Sequence, residues 1–343
     1  MIEFKQGNLL EANTEALVNT VNCVGVMGKG IALQFKQAFP ENFRQYKKAC
    51  DRSLVQPGQM FIVTTDSLFP RYIINFPTKR HWRGKSRIED IDSGLEALIT
   101  EVRERNIKSI AVPPLGCGNG GLNWEEVKQK IVNAFTNLPE VEVIIYEPMG
   151  APVADRMKVA TPKPNMTRAR ALLVRLLELY GIPGYSLTKL EIQKLAYFLQ
   201  EAGEQLKLPY IKHQFGPYAE NLNHALQRLE GHFIRGYGDR NQRSIMYVLP
   251  QAIDDANRFL AEYPDAIERL ERVSKLIRGF ETPYGLEMLA TIHWVAKEDP
   301  RAATDCAFAI KKVQDWSSRK RKLFKPQHLQ KAWEHLREEN WLT

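Results

Sequence analysis

Glycine-rich turns that join a strand to a helix carry the most suggestive chemistry in this sequence. In Asn19-Thr20-Val21-Asn22-Cys23-Val24-Gly25-Val26-Met27-Gly28-Lys29-Gly30-Ile31-Ala32, a β-rich run from Ala16 passes through small residues into a helical pattern. Glycines at such a turn let backbone N–H groups approach an anion, and the start of a helix adds a favourable dipole. The turn therefore reads as a phosphate cradle. It is not a P-loop, because Gly25-x-x-Gly28-Lys29-Gly30 lacks the four-residue gap and the Ser or Thr after lysine. Nor is it a G-x-G-x-x-G fingerprint, because Leu33 stands at the third glycine position. A second turn, Pro113-Pro114-Leu115-Gly116-Cys117-Gly118-Asn119-Gly120-Gly121-Leu122-Asn123-Trp124, places four glycines in six positions. Each glycine costs chain entropy, so this density argues against an ordinary tight turn. Two such loops in one domain fit a ligand with two anionic groups, or a diphosphate clamped between them.

Other reactive residue types are sparser. The run Lys79-Arg80-His81 is either a solvated basic segment or a track for a nucleic-acid phosphate. Cys23, Cys50, Cys117 and Cys306 show no C-x-x-C spacing, and the seven histidines show no H-E-x-x-H pattern, so no metal site is expected. Cys117 has no evident histidine partner and is expected to pack rather than attack.

The elements that would position these loops follow from periodicity. Strands are expected at 2–5, 16–21, 60–64, 72–76, 107–113 and 141–146, and helices at 28–39, 41–52, 89–105 and 125–137. This alternation predicts an α/β layer architecture, with the 60–64 and 72–76 runs close enough to form a hairpin and make the sheet mixed. Pro148, Pro152, Pro162 and Pro164 then mark a linker. Beyond it helices are expected at 168–180, 189–204, 219–230, 254–278 with a break at Pro264, 284–296, 302–316 and 327–339, with one possible hairpin at 232–249. The second domain is thus mainly α.

Composition is that of a globular chain: 343 residues, 44% hydrophobic and 26% charged. The apolar-rich runs are far too short for a bilayer span, and the first residues enter a strand directly, so a cytoplasmic protein without a secretory signal or membrane partner is expected. Residues 1–150 carry 18 Lys and Arg against 17 Asp and Glu, a net +1, whereas the remainder carries 30 against 23, a net +7. The basic second half is either a solvated helical surface or a nucleic-acid contact.

Four motifs in order, Gly7-Asn8-Leu9, then the Asn19–Ala32 turn, then Pro77-Thr78-Lys79-Arg80, then Pro114-Leu115-Gly116-Cys117-Gly118 with Gly120-Gly121-Leu122, resemble a macrodomain over about residues 1–150. The resemblance is nearest to the branch that holds the terminal ADP-ribose glycohydrolases and the DarG antitoxins of DarT–DarG systems. It implies a macrodomain with a mixed central sheet between helices at 1–151, a linker at 152–166 and a helical toxin-binding domain at 167–343. Macrodomains bind ADP-ribose, whose diphosphate answers to the two loops. Asn8 and Leu9 would then sit by the adenine, with Asn8 standing where many macrodomains have aspartate. Asn22 would bond the hydroxyls of the distal ribose. Met27, Gly28, Lys29, Gly30 and Ile31, together with Leu115, Gly116, Cys117, Gly118, Asn119, Gly120, Gly121 and Leu122, would wrap the diphosphate and that ribose. Lys29 would contribute its backbone alone.

The resemblance also makes Lys79 the catalytic residue, assisted by Asn22. Its ammonium would polarise the substituent on C1″ or stabilise the departing base, and a desolvated lysine could do acid–base work. The human-type enzyme pairs its lysine with an aspartate in the second glycine loop, where this chain has Gly120, so non-covalent assistance is implied. A branch member of this kind is an antitoxin and an enzyme without cofactor. It hydrolyses the N-glycosidic bond of ADP-ribosylated bases in single-stranded DNA, and a DarT-type ADP-ribosyltransferase toxin is its partner. The alternatives within the fold are a non-catalytic ADP-ribose reader or a protein de-ADP-ribosylase. The stretches Leu187–Phe198 and Phe215-Gly216-Pro217-Tyr218 resemble the helical domain of other antitoxins, although a plain amphipathic helix also fits the first. Arg319-Lys320-Arg321-Lys322 reads as a basic tail able to recruit nucleic acid.

Overall fold

The structure is a computed structural model that describes residues 1–148, 152–181, 187–240 and 245–342. The chain divides into two compact units, one of residues 1–162 with the short segment 238–242, the other of 163–237 and 243–343. The expected boundary at residue 151 lies outside the described residues.

The first unit holds strands β1 (Ile2–Lys5), β2 (Ala16–Asn22), β3 (Phe61–Thr64), β4 (Tyr72–Lys79), β5 (Ser109–Val112) and β6 (Glu142–Tyr146). Its helices are α1 (Gly30–Ala38), α2 (Pro40–Asp51), α3 (Ile88–Glu104) and α4 (Trp124–Phe135). The sheet order is β1-β6-β5-β2-β4-β3. All pairings are parallel except the β3–β4 hairpin, so the sheet is mixed, as the spacing of those two runs predicts.

Successive residues in a strand face opposite sides, and a sheet covered by helices on both sides needs apolar residues on each. Ala16, Val18, Ile74, Phe76, Ile110 and Val112 point to the side covered by Leu95 and Leu98 of α3 and Val127 and Ile131 of α4. Leu17, Ile73, Ala111 and Ile144 point the other way, onto Phe35 of α1. The α3 backbone lies so close to β4 that a Cβ at Gly94 would stand 2.2 Å from the Phe76 ring. One polar set is admitted between β2 and β4. The buried Asn75 accepts from Asn19 (3.0 Å) and Asn42 (3.2 Å) and donates to Asn42 Oδ1 (2.7 Å) and the Phe61 carbonyl (3.0 Å).

Connections from β2 run toward β4, and those from β5 run toward β6, so the order reverses between β2 and β5. At such a switch point the helices leave on opposite faces and open a crevice beyond the carboxyl ends of the strands. Both glycine turns lie there.

The second unit is mainly helical. Its helices span Arg168–Tyr180, Lys189–Glu201, Glu220–Leu229, Pro250–Leu260, Pro264–Ile277, Pro283–Glu298, Arg301–Thr304, Cys306–Trp316, Ser318–Leu323 and Pro326–Glu338. The expected hairpin at 232–249 is present as Ile234–Arg235 paired with Tyr247–Val248. A second short hairpin, Ile211–His213 with Gly216–Tyr218, was not expected. The Lys189–Glu201 helix is no ordinary amphipathic helix, since every residue from Glu191 to Leu199 is buried. It is tied to the segment around Phe215–Tyr218: Gln193 donates to and accepts from the Ala219 backbone (2.9 and 3.0 Å), and Lys194 donates to the Pro217 carbonyl (2.6 Å). The two resembling stretches are thus one structural piece. The basic tail is a helix rather than a free arm. Lys320 is fully buried against Glu287 (2.8 Å) and Thr291 (3.0 Å), Arg319 pairs with Glu287, and Arg321 pairs with Asp315. Three of its four cations are therefore committed inside the unit. No described helix is long and apolar enough to cross a membrane.

Candidate active site

β2 and β4 end together at the crevice, where Asn22 and Lys79 are register partners across a bulge at Val21/Asn22. Asn22 is buried and organises its own loop. Its Oδ1 accepts from the N–H groups of Val24 (3.0 Å) and Val26 (3.3 Å), and its Nδ2 donates to the Val26 carbonyl (2.5 Å). Tyr46 of α2, fully buried, donates its hydroxyl to the Asn22 carbonyl (2.5 Å). Sequence reading had no means of finding Tyr46, which looks there like one more apolar position of an amphipathic helix.

Beyond Asn22 the chain turns through Gly25 (φ +76°), buries Met27, and enters α1 at Gly30 (φ +60°). The position before α1 is Lys29, extended and exposed, with no side-chain cap on the helix start. Orphan N–H groups of that kind need an acceptor. The Gly30 N–H donates to the Asp239 carbonyl (2.8 Å) of the 238–242 segment in the same compact unit, and Gln34 donates to the Asp239 carboxylate (3.1 Å).

Lys79 is the last residue of β4 and is partly buried. Its ammonium donates to the Asn119 carbonyl in the second glycine turn, which brings the lysine across to the β5 loop. Burial holds its pKa below the usual lysine range. No ion pair to Lys79 is present among the described residues. The turn itself is tightly folded: Gly116 has φ +72°, and its carbonyl accepts from the Leu122 N–H (3.2 Å). A Cβ at Gly120 would stand 2.1 Å from the Gly116 carbonyl oxygen and 2.3 Å from Ser86 Oγ, so no carboxylate fits at this position. The Ser86 N–H donates to the Gly120 carbonyl (3.1 Å), joining the loop after β4 to the turn after β5. Ser86 was missed in the sequence, where it reads as a polar residue in a basic loop.

Both cysteines near the crevice are poor nucleophiles. Burial pushes the thiols of Cys23 and Cys117 up to about 11, so they stay protonated at neutral pH. Cys117 instead donates weakly to the Leu115 carbonyl (3.4 Å). Asn8 lies at the same end of the sheet, after edge strand β1, which β6 and β5 separate from β2. At about 4.8 Å per strand that is on the order of 15 Å, a span suited to an extended ligand. Asn8 caps the short 3₁₀ turn Leu9–Glu11 through the Leu10 N–H (3.1 Å) and donates to Glu11 (3.1 Å), while Leu9 is buried beside Leu17 and Tyr146. Among the described residues no group of three His, Cys, Asp or Glu could hold a metal ion.

The Macro domain family profile matches residues 18–131. The DNA ADP-ribosyl glycohydrolase of Thermus aquaticus is 54% identical over 97% of this chain and 92% of its own length. The chain belongs to the DNA ADP-ribosyl glycohydrolase family. That relationship spans both compact units. The macrodomain of Mycobacterium tuberculosis DarG is 61% identical, covers 43% of this chain and 98% of its own, and superposes with a TM-score of 0.43. A fusion protein of Thermosipho africanus, a DNA ADP-ribosyl transferase joined to a DNA ADP-ribosyl glycohydrolase, is 33% identical over 44% of this chain and 42% of its own. An ADP-ribosyl glycohydrolase has to hold a diphosphate and act at the sugar carbon beyond it. In this family member, one crevice edge carries two glycine turns with Lys79 reaching from one flank to the other.

Proposed function

We propose that this chain removes ADP-ribose from a modified base of single-stranded DNA by hydrolysing the bond between C1″ and the base nitrogen. The observation that carries the reading is the Lys79 ammonium, held at the end of β4 by the Asn119 carbonyl of the second glycine turn. ADP-ribose would lie along the crevice with its adenine toward Asn8 and Leu9, its diphosphate against the backbones of 27–31 and 115–122, and its distal ribose by Lys79. As the C1″–N bond breaks, its electron pair passes to the base and Lys79 delivers a proton there. Water adds to C1″ and returns a proton to the lysine amine. A lysine partly removed from water gives up its proton more readily than an exposed one, which suits it to the delivery step. Asn22 acts by fixing the loop that receives the sugar. With no carboxylate at position 120, the lysine works without a covalent adduct.

The second unit we assign to binding and neutralising a DarT-type toxin. This rests on the two stretches that resemble a helical antitoxin domain, which Gln193 and Lys194 join by bonding the 217–219 backbone. A relative that fuses transferase and glycohydrolase supports the class of partner, not the role of this unit. The test is release of free ADP-ribose from an ADP-ribosylated single-stranded oligonucleotide, beside an ADP-ribosylated protein, with toxin inhibition measured separately. Release from the oligonucleotide is expected. Binding of ADP-ribose with no release from either substrate would make the protein a reader.

A further inference from the structure

The nine residues from Lys79 to Arg87 contain five lysines and arginines and no acid. The last eight of them form the loop between β4 and α3, directly after the proposed catalytic lysine. Its middle exposes an indole: Trp82 is 46% accessible. The His81 ring lies beside it (centroids 5.5 Å apart, 30° between planes), and the Arg83 guanidinium sits over the indole at 4.6 Å. The Gly84 N–H donates to the His81 carbonyl (3.0 Å) and the Arg83 N–H to His81 Nδ1 (3.2 Å), closing a tight turn under these rings.

Both ends of the loop are fastened. At the start, Arg80 pairs with the buried Asp90 at 2.9 Å. At the end, Ser86 is buried and bonded to Gly120. Arg83 and Lys85 between them, and Arg87 just beyond Ser86, are exposed, and no ion pair to any of the three is present among the described residues. A recess of about 290 Å³ opens beside them, its wall including Arg80, Lys85 and Arg87.

We propose that this loop is a platform for the DNA strand flanking the modified base, with a neighbouring base stacked on Trp82 and the phosphates running over Arg83, Lys85 and Arg87. Single strands are held this way, by aromatic faces that accept any base and by cations that follow the backbone. Trp82 is three residues from Lys79, at most about 10 Å of chain. That upper limit corresponds to about three stacked nucleotides at 3.4 Å each. The exposed indole favours a nucleic acid over an acidic peptide, for which the cations alone would suffice. The inference rests on DNA as the substrate and adds how the strand is gripped.

The test uses the full chain, wild type against Trp82→Ala and Trp82→Phe, on an ADP-ribosylated oligonucleotide and on the corresponding ADP-ribosylated mononucleoside. Loss of a stacked base lowers the oligonucleotide-to-mononucleoside ratio of kcat/KM about tenfold, through KM, and Phe restores most of it. A second variant, Arg83→Ala with Lys85→Ala and Arg87→Ala, flattens the salt dependence of oligonucleotide binding by a slope of roughly 2. Anisotropy with an unmodified single strand reads the same platform without hydrolysis. Wild-type binding by Trp82→Ala, with an unaltered substrate ratio, would overturn the proposal. If the wild type binds the strand through Trp82 but releases nothing from either DNA substrate, the platform stands and the substrate reading fails.

Discussion

Asn22 and Lys79 are register partners at the ends of adjacent parallel strands, yet their polar groups serve different loops. Asn22 turns back on Val24 and Val26, while the Lys79 ammonium crosses to the Asn119 carbonyl. One residue shapes a wall of the crevice and the other reaches over its floor.

That division predicts the outcome of Asn22→Ala. The two loop N–H groups lose their acceptor, at about 1–2 kcal/mol, and the 22–30 turn loosens. ADP-ribose affinity should fall roughly 5- to 30-fold by titration calorimetry. Unchanged affinity would mean that the turn keeps its shape without the asparagine.

Gly120→Asp should not restore a carboxylate-assisted mechanism. Its Cβ would overlap the Gly116 carbonyl and the Ser86 hydroxyl, so the second turn must open. Strain of about 1–3 kcal/mol is expected in denaturant unfolding, together with lower activity. A stable, more active variant would contradict the crowding.

Lys194 sets a pH dependence in the second unit. It lies in the Lys189–Glu201 helix, bonded to the Pro217 carbonyl, with Glu287 and Lys320 as the charges around it. Burial first, then Lys320, pushes it down to about 7, against the opposing pull of Glu287. An unfolded lysine titrates near 10.4. Between those values the unfolded chain binds more protons, so this unit should gain stability as pH rises from about 7 toward 10, on the order of a few kcal/mol. Denaturant melts of Lys194→Met should lose that slope. A slope retained in the variant would assign it to another group.

Much of the first unit was legible because its strands are buried on both faces and its turns are marked by glycine. Strand ends shifted by a few residues at most, as at β4, read as ending at Phe76 and observed to continue to Lys79. The extension matters, because it makes Lys79 a strand residue with a fixed direction rather than a loop lysine. Side-chain commitments were not legible. The sequence cannot say that Asn22 spends its amide on its own loop, or that Lys320, one of four successive cations, is buried on Glu287. The 302–316 run reads as one helix, but Asp305 caps a new one by accepting from the Phe308 N–H (2.9 Å). The Ile211–Tyr218 hairpin has three residues per strand and a Gly-Pro pair, too little alternation to register.

The measurement that bears most directly on the account is single-turnover release of ADP-ribose from an ADP-ribosylated single-stranded oligonucleotide by Lys79→Ala, with ADP-ribose affinity measured on the same preparation. Loss of a positioned acid–base group predicts a rate lower by about 10²- to 10⁴-fold with affinity within a few-fold of wild type. Full activity in the variant would contradict the assignment of Lys79.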